Sequence, residues 1–198
     1  MSKRKVRRYR SRKSRNPILI VGSLVAVAAI IIAAYIVINS SVSSGSSKNK
    51  VLLSTSMGDI VIQLRDDMPI TTGNIKNLVQ QGKYDGTIFH RVIADFMIQG
   101  GYINSSIPTI PDEFSSNNHN VRGTIAMAKT DQPNSANSQF FINVVDNSNR
   151  YASFDSTYSV FGDVIQGMDV ADAISKVATD SNDSPLQPVT IIKAQLVD

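Results

Sequence analysis

Three hydrophobic patterns divide the chain. "ILIVGSLVAVAAIIIAAYIVI", residues 18–38, is apolar on every face and holds no charge across its 21 positions. An α-helix needs about 20 such residues to cross a bilayer, so the run predicts a transmembrane helix. From Val51 onward the pattern is mostly alternating. "GDIVIQL" (58–64) puts Ile60, Ile62 and Leu64 on one face, and "GTIAMA" (123–128), "SQFFINVV" (138–145), "YSVFGDV" (158–164) and "VTIIKAQLV" (189–197) are further strand-like runs bounded by turn residues. Two segments change to helical spacing. "TTGNIKNLVQQG" (71–82) aligns Ile75, Leu78 and Val79, with threonines at its start and Gly82 suited to the position after its end. "GMDVADAISKVA" (167–178) aligns Met168, Val170, Ala171 and Ile174. Short strands with two isolated helices predict a mainly β domain, a closed antiparallel barrel with helices at its ends.

Charge separates the same regions. Nine basic residues and no acid lie between Lys3 and Arg15, whereas residues 51–198 hold 9 basic against all 16 acidic residues, a net charge of −7. The expected organisation is a basic tail (1–17), a membrane span (18–38), a Ser/Gly-rich linker (39–50) and a folded domain (51–198). The linker, treated as a flexible coil, spans roughly 20 Å. The positive-inside rule keeps the basic end cytoplasmic and sends the domain across the membrane. A cleaved signal peptide is the rival reading, but its apolar core would run only about 7–15 residues before a small-residue cleavage site.

The acidic balance argues against nucleic-acid binding by the domain, which lacks a basic surface to neutralise phosphates. There is no cysteine, so disulfides and thiol chemistry are excluded. With two histidines, His90 and His119, any zinc site would have to draw on carboxylates, and no metal or other cofactor is expected. Nothing in the chain demands association, and a monomer is expected.

Candidate chemistry centres on "DGTIFHRVIADFMIQGG" (85–101), where a charged Arg91 sits in an apolar strand. Period-2 counting puts Phe89, Arg91 and Ile93 on one face, and Ile88, His90 and Val92 on the other. Met97 and Gln99 share a face, and so do Gln139, Phe141 and Asn143. A barrel interior takes the wholly apolar set Phe140, Ile142 and Val144, so Gln139 and Phe141 point out of the core. The outward sets combine one arginine, two glutamines and large apolar side chains, which suits a groove with an apolar pocket and a few placed donors. An ordinary ion pair is the bland alternative for Arg91.

"YDGTIFHRVIADFMIQGG", "RGTIAMA", "NSQFFINVVDN" and "VFGDVIQGMDVADAI" occur in the order found in the cyclophilin family of peptidyl-prolyl cis–trans isomerases, and their spacing most closely resembles the bacterial branch. The resemblance runs from about residue 51 to the end. It implies a closed, eight-stranded antiparallel β-barrel capped by two α-helices, an isomerase that uses no cofactor, and proline-containing polypeptides as substrates. Arg91 matches the family's catalytic arginine. Phe96, Met97 and Phe141 match the proline pocket, with Phe154 as a fourth wall. Gln99 matches the glutamine that holds the substrate backbone and helps orient the arginine, and Gln139 a second groove glutamine. Ala128 and Lys129 match a segment that contacts substrate largely through its backbone, and Tyr158 a position that borders the pocket. His90 is implied to be structural. His119 reads as a solvated loop residue, and Asp112 and Glu113, which could pass for a paired-carboxylate site, read as a loop motif.

The chain also departs from the family. It has no tryptophan, so weak ciclosporin binding is expected, with Ser153 or Tyr151 in the place of that residue. "YINSSIPTIP" (102–111) replaces a glycine-rich loop, and Gly73 and Ile75 replace more usual helix residues. A non-catalytic, membrane-tethered module that binds proline peptides is the alternative function, and a purely structural envelope protein leaves the outward polar set unexplained.

Overall fold

The computed structural model describes residues 48–148, 150 and 153–198. The basic tail, the predicted membrane span, the linker up to Ser47, and Tyr151 lie outside the described residues. Among the described residues no helix is long and apolar enough to cross a membrane.

Eight strands follow in order: β1 (Lys50–Thr55), β2 (Gly58–Leu64), β3 (Phe89–Ile93), β4 (Met97–Gly100), β5 (Thr124–Met127), β6 (Phe140–Asn143), β7 (Val160–Gln166) and β8 (Ile191–Val197). Among the described residues three helices interrupt them: α1 (Pro69–Gln80), α2 (Phe154–Thr157) and α3 (Met168–Ile174). The strands form one antiparallel sheet in the order β3-β4-β6-β5-β7-β2-β1-β8. Strand twist and four register shifts curl it.

The expected closed barrel needs correcting, because no ladder joins β3 to β8. The segment leading into β8 covers the β3 edge instead, through Val92 N–H to Asp183 O (2.8 Å), Phe89 N–H to Val189 O (2.9 Å) and a single bridge between Ile88 and Thr190. Covering an edge with a loop satisfies its donors as closure would, and blocks pairing with a foreign strand. Strand-edge chemistry, invisible to side-chain periodicity, decides between the two.

The concave side holds the main core. Val51, Leu53, Ile60, Ile62 and Leu64 meet Ile98, Ile125, Phe140, Ile142 and Phe161, with α1 contributing Ile75, Leu78 and Val79, and α3 Ala171 and Ile174. A smaller apolar cluster, Met97, Ala126, Phe141, Phe154 and Val160, forms on the other side of the sheet. It is the floor of the site.

Helix α1 begins two residues before its threonines, at Pro69, whose fixed φ and missing N–H suit a first turn. Its orphan donors are capped from a distance: Glu113 accepts the N–H groups of Ile70 (3.1 Å) and Thr71 (2.8 Å) and the Thr71 hydroxyl (2.8 Å). Gly82, at φ +63°, follows the end as expected, with Gly82 N–H on Val79 O and Lys83 N–H on Leu78 O. Helix α2 carries no hydrophobic period of its own and was not legible as a helix.

Candidate functional site

The site starts from a bulge. The β3–β4 register shifts between Phe89 and Arg91, so the alternation slips by one residue at His90. Phe89 therefore points into the core, fully buried, together with Val92, while Arg91 and Ile93 face the opposite side. The uninterrupted period-2 reading, which placed Phe89 beside Arg91, is corrected by this bulge.

Beyond the bulge, one row crosses four strands: Arg91 pairs with Gln99, Gln99 with Phe141, and Phe141 with Ala126. The row lies under a cavity of about 310 Å³, lined by Arg91, Phe96, Met97, Gln99, Ala128, Lys129, Phe141, Phe154 and Tyr158. Gln139 stands just outside it, on an adjoining cavity it shares with Gln99, Ala128 and Lys129, and accepts the Gln99 amide at 3.1 Å. The structure thus gathers nine of the ten sequence-predicted residues around one cavity and puts the tenth at its rim.

Four aromatic rings build the wall. Phe154 lies 5.9 Å from Phe96, 5.9 Å from Phe141 and 4.7 Å from Tyr158, and Tyr158 meets Phe141 edge-on at 5.4 Å. The guanidinium of Arg150 stacks over Phe96 at 5.1 Å. Such contacts fix ring orientation as well as burying area.

Arg91 is 45 % exposed at its side chain, and its Nε stands 3.5 Å from Asp183 Oδ2. An ion pair this long and this exposed contributes little stability, so structure alone gives a poor reason for placing an arginine here. Lys129 is the opposite case. Its ammonium is 2.6 Å from Asp112 Oδ2 with both side chains largely buried, so its charge is held away from the cavity. Burial alone would raise the Asp112 carboxyl, but the Lys129 ammonium and the Asn134 N–H outweigh it and hold it below its ordinary value. Asp112 and Glu113 therefore serve a tether and a helix cap. They do not form a catalytic pair.

His90 does not line the cavity, and burial, aided by the neighbouring Arg91 charge, lowers its pKa. The shift favours the neutral imidazole. His119 is exposed as expected, yet its Nδ1 stands 2.9 Å from Asp155 Oδ2. Asp155 belongs to a buried amide network that the sequence reading missed. Asn120 donates to Asp155 through N–H (2.7 Å) and amide (3.2 Å); Asn143 donates to Asn120 (3.2 Å) and Thr124 (2.9 Å); Asn147 donates to Asn143 (2.7 Å) and to the Phe96 carbonyl (2.9 Å). Asn118 holds the carbonyls of Asp155 and Tyr158. The network ties Phe96 on one side of the cavity to the α2 wall on the other. Its one sequence signal is Asn143 sharing a period-2 face with Gln139 and Phe141. Among the described residues no cluster of His, Cys, Asp or Glu is arranged to hold a metal ion.

The family described as "Cyclophilin type peptidyl-prolyl cis-trans isomerase/CLD" matches residues 50–196. A peptidyl-prolyl cis-trans isomerase of Acinetobacter baylyi is 46% identical over 158 residues, 74% of this chain and 84% of the relative. Peptidyl-prolyl cis-trans isomerase A of Dickeya dadantii is 41% identical over 166 residues, 78% of this chain and 87% of the relative. Among solved structures, a Cryptosporidium parvum cyclophilin type peptidyl-prolyl cis-trans isomerase, crystallised in the presence of the dipeptide Ala-Pro, superposes with a TM-score of 0.67 at 25% identity, covering 75% of this chain and 99% of that one. The chain belongs to the cyclophilin-type peptidyl-prolyl cis–trans isomerases, a family of enzymes.

Proposed function

We propose that this chain is a membrane-tethered prolyl isomerase that accelerates X-Pro isomerisation in polypeptides folding outside the cytoplasm, with Arg91 as its catalytic donor. The observation that carries the reading is the convergence of Arg91 and Gln99 with four aromatic rings and Met97 on one cavity.

The chemistry follows from the amide. Rotation about a peptide bond costs about 18–20 kcal/mol because nitrogen shares its lone pair with the carbonyl. For a prolyl bond the two isomers lie close in energy but interchange over roughly tens to hundreds of seconds. In the twisted state the lone pair returns to a pyramidal nitrogen. A guanidinium N–H aimed at that nitrogen bonds to it only then, so it stabilises the transition state over either ground state. No nucleophile, proton transfer or metal is needed. Arginine suits the task because it stays protonated and presents several donors from a rigid plane. The cavity is at the small end for ligand sites, fitting one ring more than a cofactor, and its Phe96, Met97, Phe141 and Phe154 walls would hold the proline. Gln99, placed beside Arg91 in register and steadied by Gln139, would hold the neighbouring backbone.

The tether rests on the uncharged run 18–38 behind nine basic residues. The domain, with 9 basic against 16 acidic residues from Val51 onward, is acidic overall, and it works on peptide as a single chain.

Exchange NMR with a short Ala-Pro peptide tests the assignment on the full chain in a neutral detergent. Arg91→Ala is expected to lower kcat/KM by about 10²–10³, the usual effect of losing one preorganised donor, while peptide affinity changes by less than about tenfold. Binding without acceleration in the unmodified protein would leave a proline-peptide receptor instead.

A further inference from the structure

Arg91 touches a loop that the chemistry above does not use. Residues 178–186 form a small hairpin: Leu186 N–H donates to Ala178 O (2.9 Å), Asp180 N–H to Ser184 O (2.9 Å), and Thr179 bridges Pro185. Asp180 Oδ1 closes the tip by accepting the N–H groups of Asn182 (2.8 Å) and Ser184 (3.0 Å). Within that tip Asp183 adopts φ +63°, a left-handed conformation that Asp and Asn tolerate better than other side chains. Its carbonyl accepts the N–H of Val92, the residue after Arg91, at 2.8 Å. The hairpin is therefore fixed to β3 one residue from the guanidinium, and Asp183 Oδ2 is left 3.5 Å from Arg91 Nε. Gln99, the partner implied for the arginine by resemblance, donates its amide N–H to Gln139 Oε1 at 3.1 Å, which leaves its own Oε1 as a second acceptor on the strand paired with Arg91.

We propose that Asp183 is a positioning residue for the isomerisation: it holds Arg91 by the Nε edge, so that the Nη edge is presented to the prolyl nitrogen. A flexible arginine on an open surface samples many rotamers, and only those facing the cavity are productive. A carboxylate behind the guanidinium selects among them before substrate arrives, which lowers the reorganisation needed at the barrier. The contact is an ion pair without hydrogen-bond geometry and about half exposed, so its hold is modest and sensitive to salt. The inference rests on Arg91 being the catalytic donor.

The test uses the full chain in a neutral detergent with an uncharged Ala-Pro peptide, at about 10 mM and about 1 M ionic strength, where screening lengths are near 30 and 3 Å. Asp183→Asn keeps the shape and the left-handed backbone but removes the charge, and Asp183→Gly keeps the backbone alone. Both are expected to lower kcat roughly two- to fivefold at low salt, with KM unchanged within about twofold. Unmodified protein and Asp183→Asn are expected to converge at high salt, and the Nε–Hε resonance of Arg91 to move between them at low salt only. A kcat in Asp183→Asn equal to or above that of the unmodified protein at low salt overturns the proposal, as does a difference that survives 1 M salt. Arg91→Ala separates the two levels. If it abolishes acceleration while the Asp183 variants are unaffected, only the positioning role falls. If it leaves acceleration intact, the catalytic assignment falls and takes the positioning role with it.

Discussion

Tyr84 is 1% exposed, meets Phe140 edge-on at 5.7 Å and donates its hydroxyl to Ser138 O at 2.8 Å. Burial pushes its phenol far above the ordinary value of 10.0. Because the folded pKa is raised, the neutral phenol's contribution to stability is complete below about pH 10 and is lost as pH rises beyond it, where the unfolded chain ionises and the folded one does not. Tyr84→Phe is expected to cost about 1–2 kcal/mol at neutral pH by leaving the Ser138 carbonyl unsatisfied. Urea titrations should also show a shallower fall in stability above pH 10 in the variant, by up to about 1.4 kcal/mol per pH unit. Equal slopes in the two proteins would mean that Tyr84 ionises freely in the fold. Lys129 illustrates a second point at this scale. A charged side chain in the cavity lining is compatible with an apolar pocket because Asp112 draws the ammonium away.

At the level of elements, the glycine pair after Gln99 lies directly across from the β3 bulge, with Phe89 opposite Gly100. A Cβ on Gly100 would lie 3.0 Å from the Phe89 ring and 3.2 Å from the Ile88 carbonyl, so a larger residue there would press on the Phe89 packing beneath β4. Gly101, at φ +75°, turns the chain out of the sheet, and a Cβ there would lie 2.8 Å from the Phe140 ring. Gly101→Ala is expected to destabilise by about 2–4 kcal/mol, combining the left-handed strain with overpacking. Gly73 is the contrast. It lies within α1, nothing stands within 4 Å of an added Cβ, and Gly73→Ala is expected to stabilise by about 0.5–1 kcal/mol. Urea midpoints measure both, and a Gly101→Ala protein as stable as the parent would show that Phe140 can move aside.

On the scale of the whole molecule, the charge division predicts an orientation. The chain has no cysteine, so single cysteines report their own side of a membrane. With the domain outside, Ser116→Cys, exposed on the domain surface, should react with a membrane-impermeant maleimide in intact cells, and Ser2→Cys only after permeabilisation. The reverse pattern would place the domain in the cytoplasm and remove the extracytoplasmic role. Labelling of neither before permeabilisation would do the same.

The sequence by itself determined the alternating strands, the two longer helices and which faces of β2, β4 and β6 turn inward, because side-chain periodicity records burial directly. Its pattern also set Arg91, Met97, Gln99, Gln139 and Phe141 on outward faces that have no place in a core, whereas Phe96, Ala128, Lys129, Phe154 and Tyr158 followed only from the resemblance to the cyclophilin family. Three things were decided only by tertiary structure. The bulge at His90 reverses Phe89, because a register slip depends on the partner strand and on Gly100 across from it. The sheet stays open, because backbone donors of β3 find carbonyls in the 183–189 segment, and backbone groups leave no trace in a hydrophobic pattern. The polar supports of the site, the Asn118–Asn120–Asn143–Asn147 network and Asp183 beside Arg91, come from loops far apart in the chain. Hydrogen bonds and ion pairs between such loops depend on angstrom-scale approach, which residue spacing along one chain does not encode.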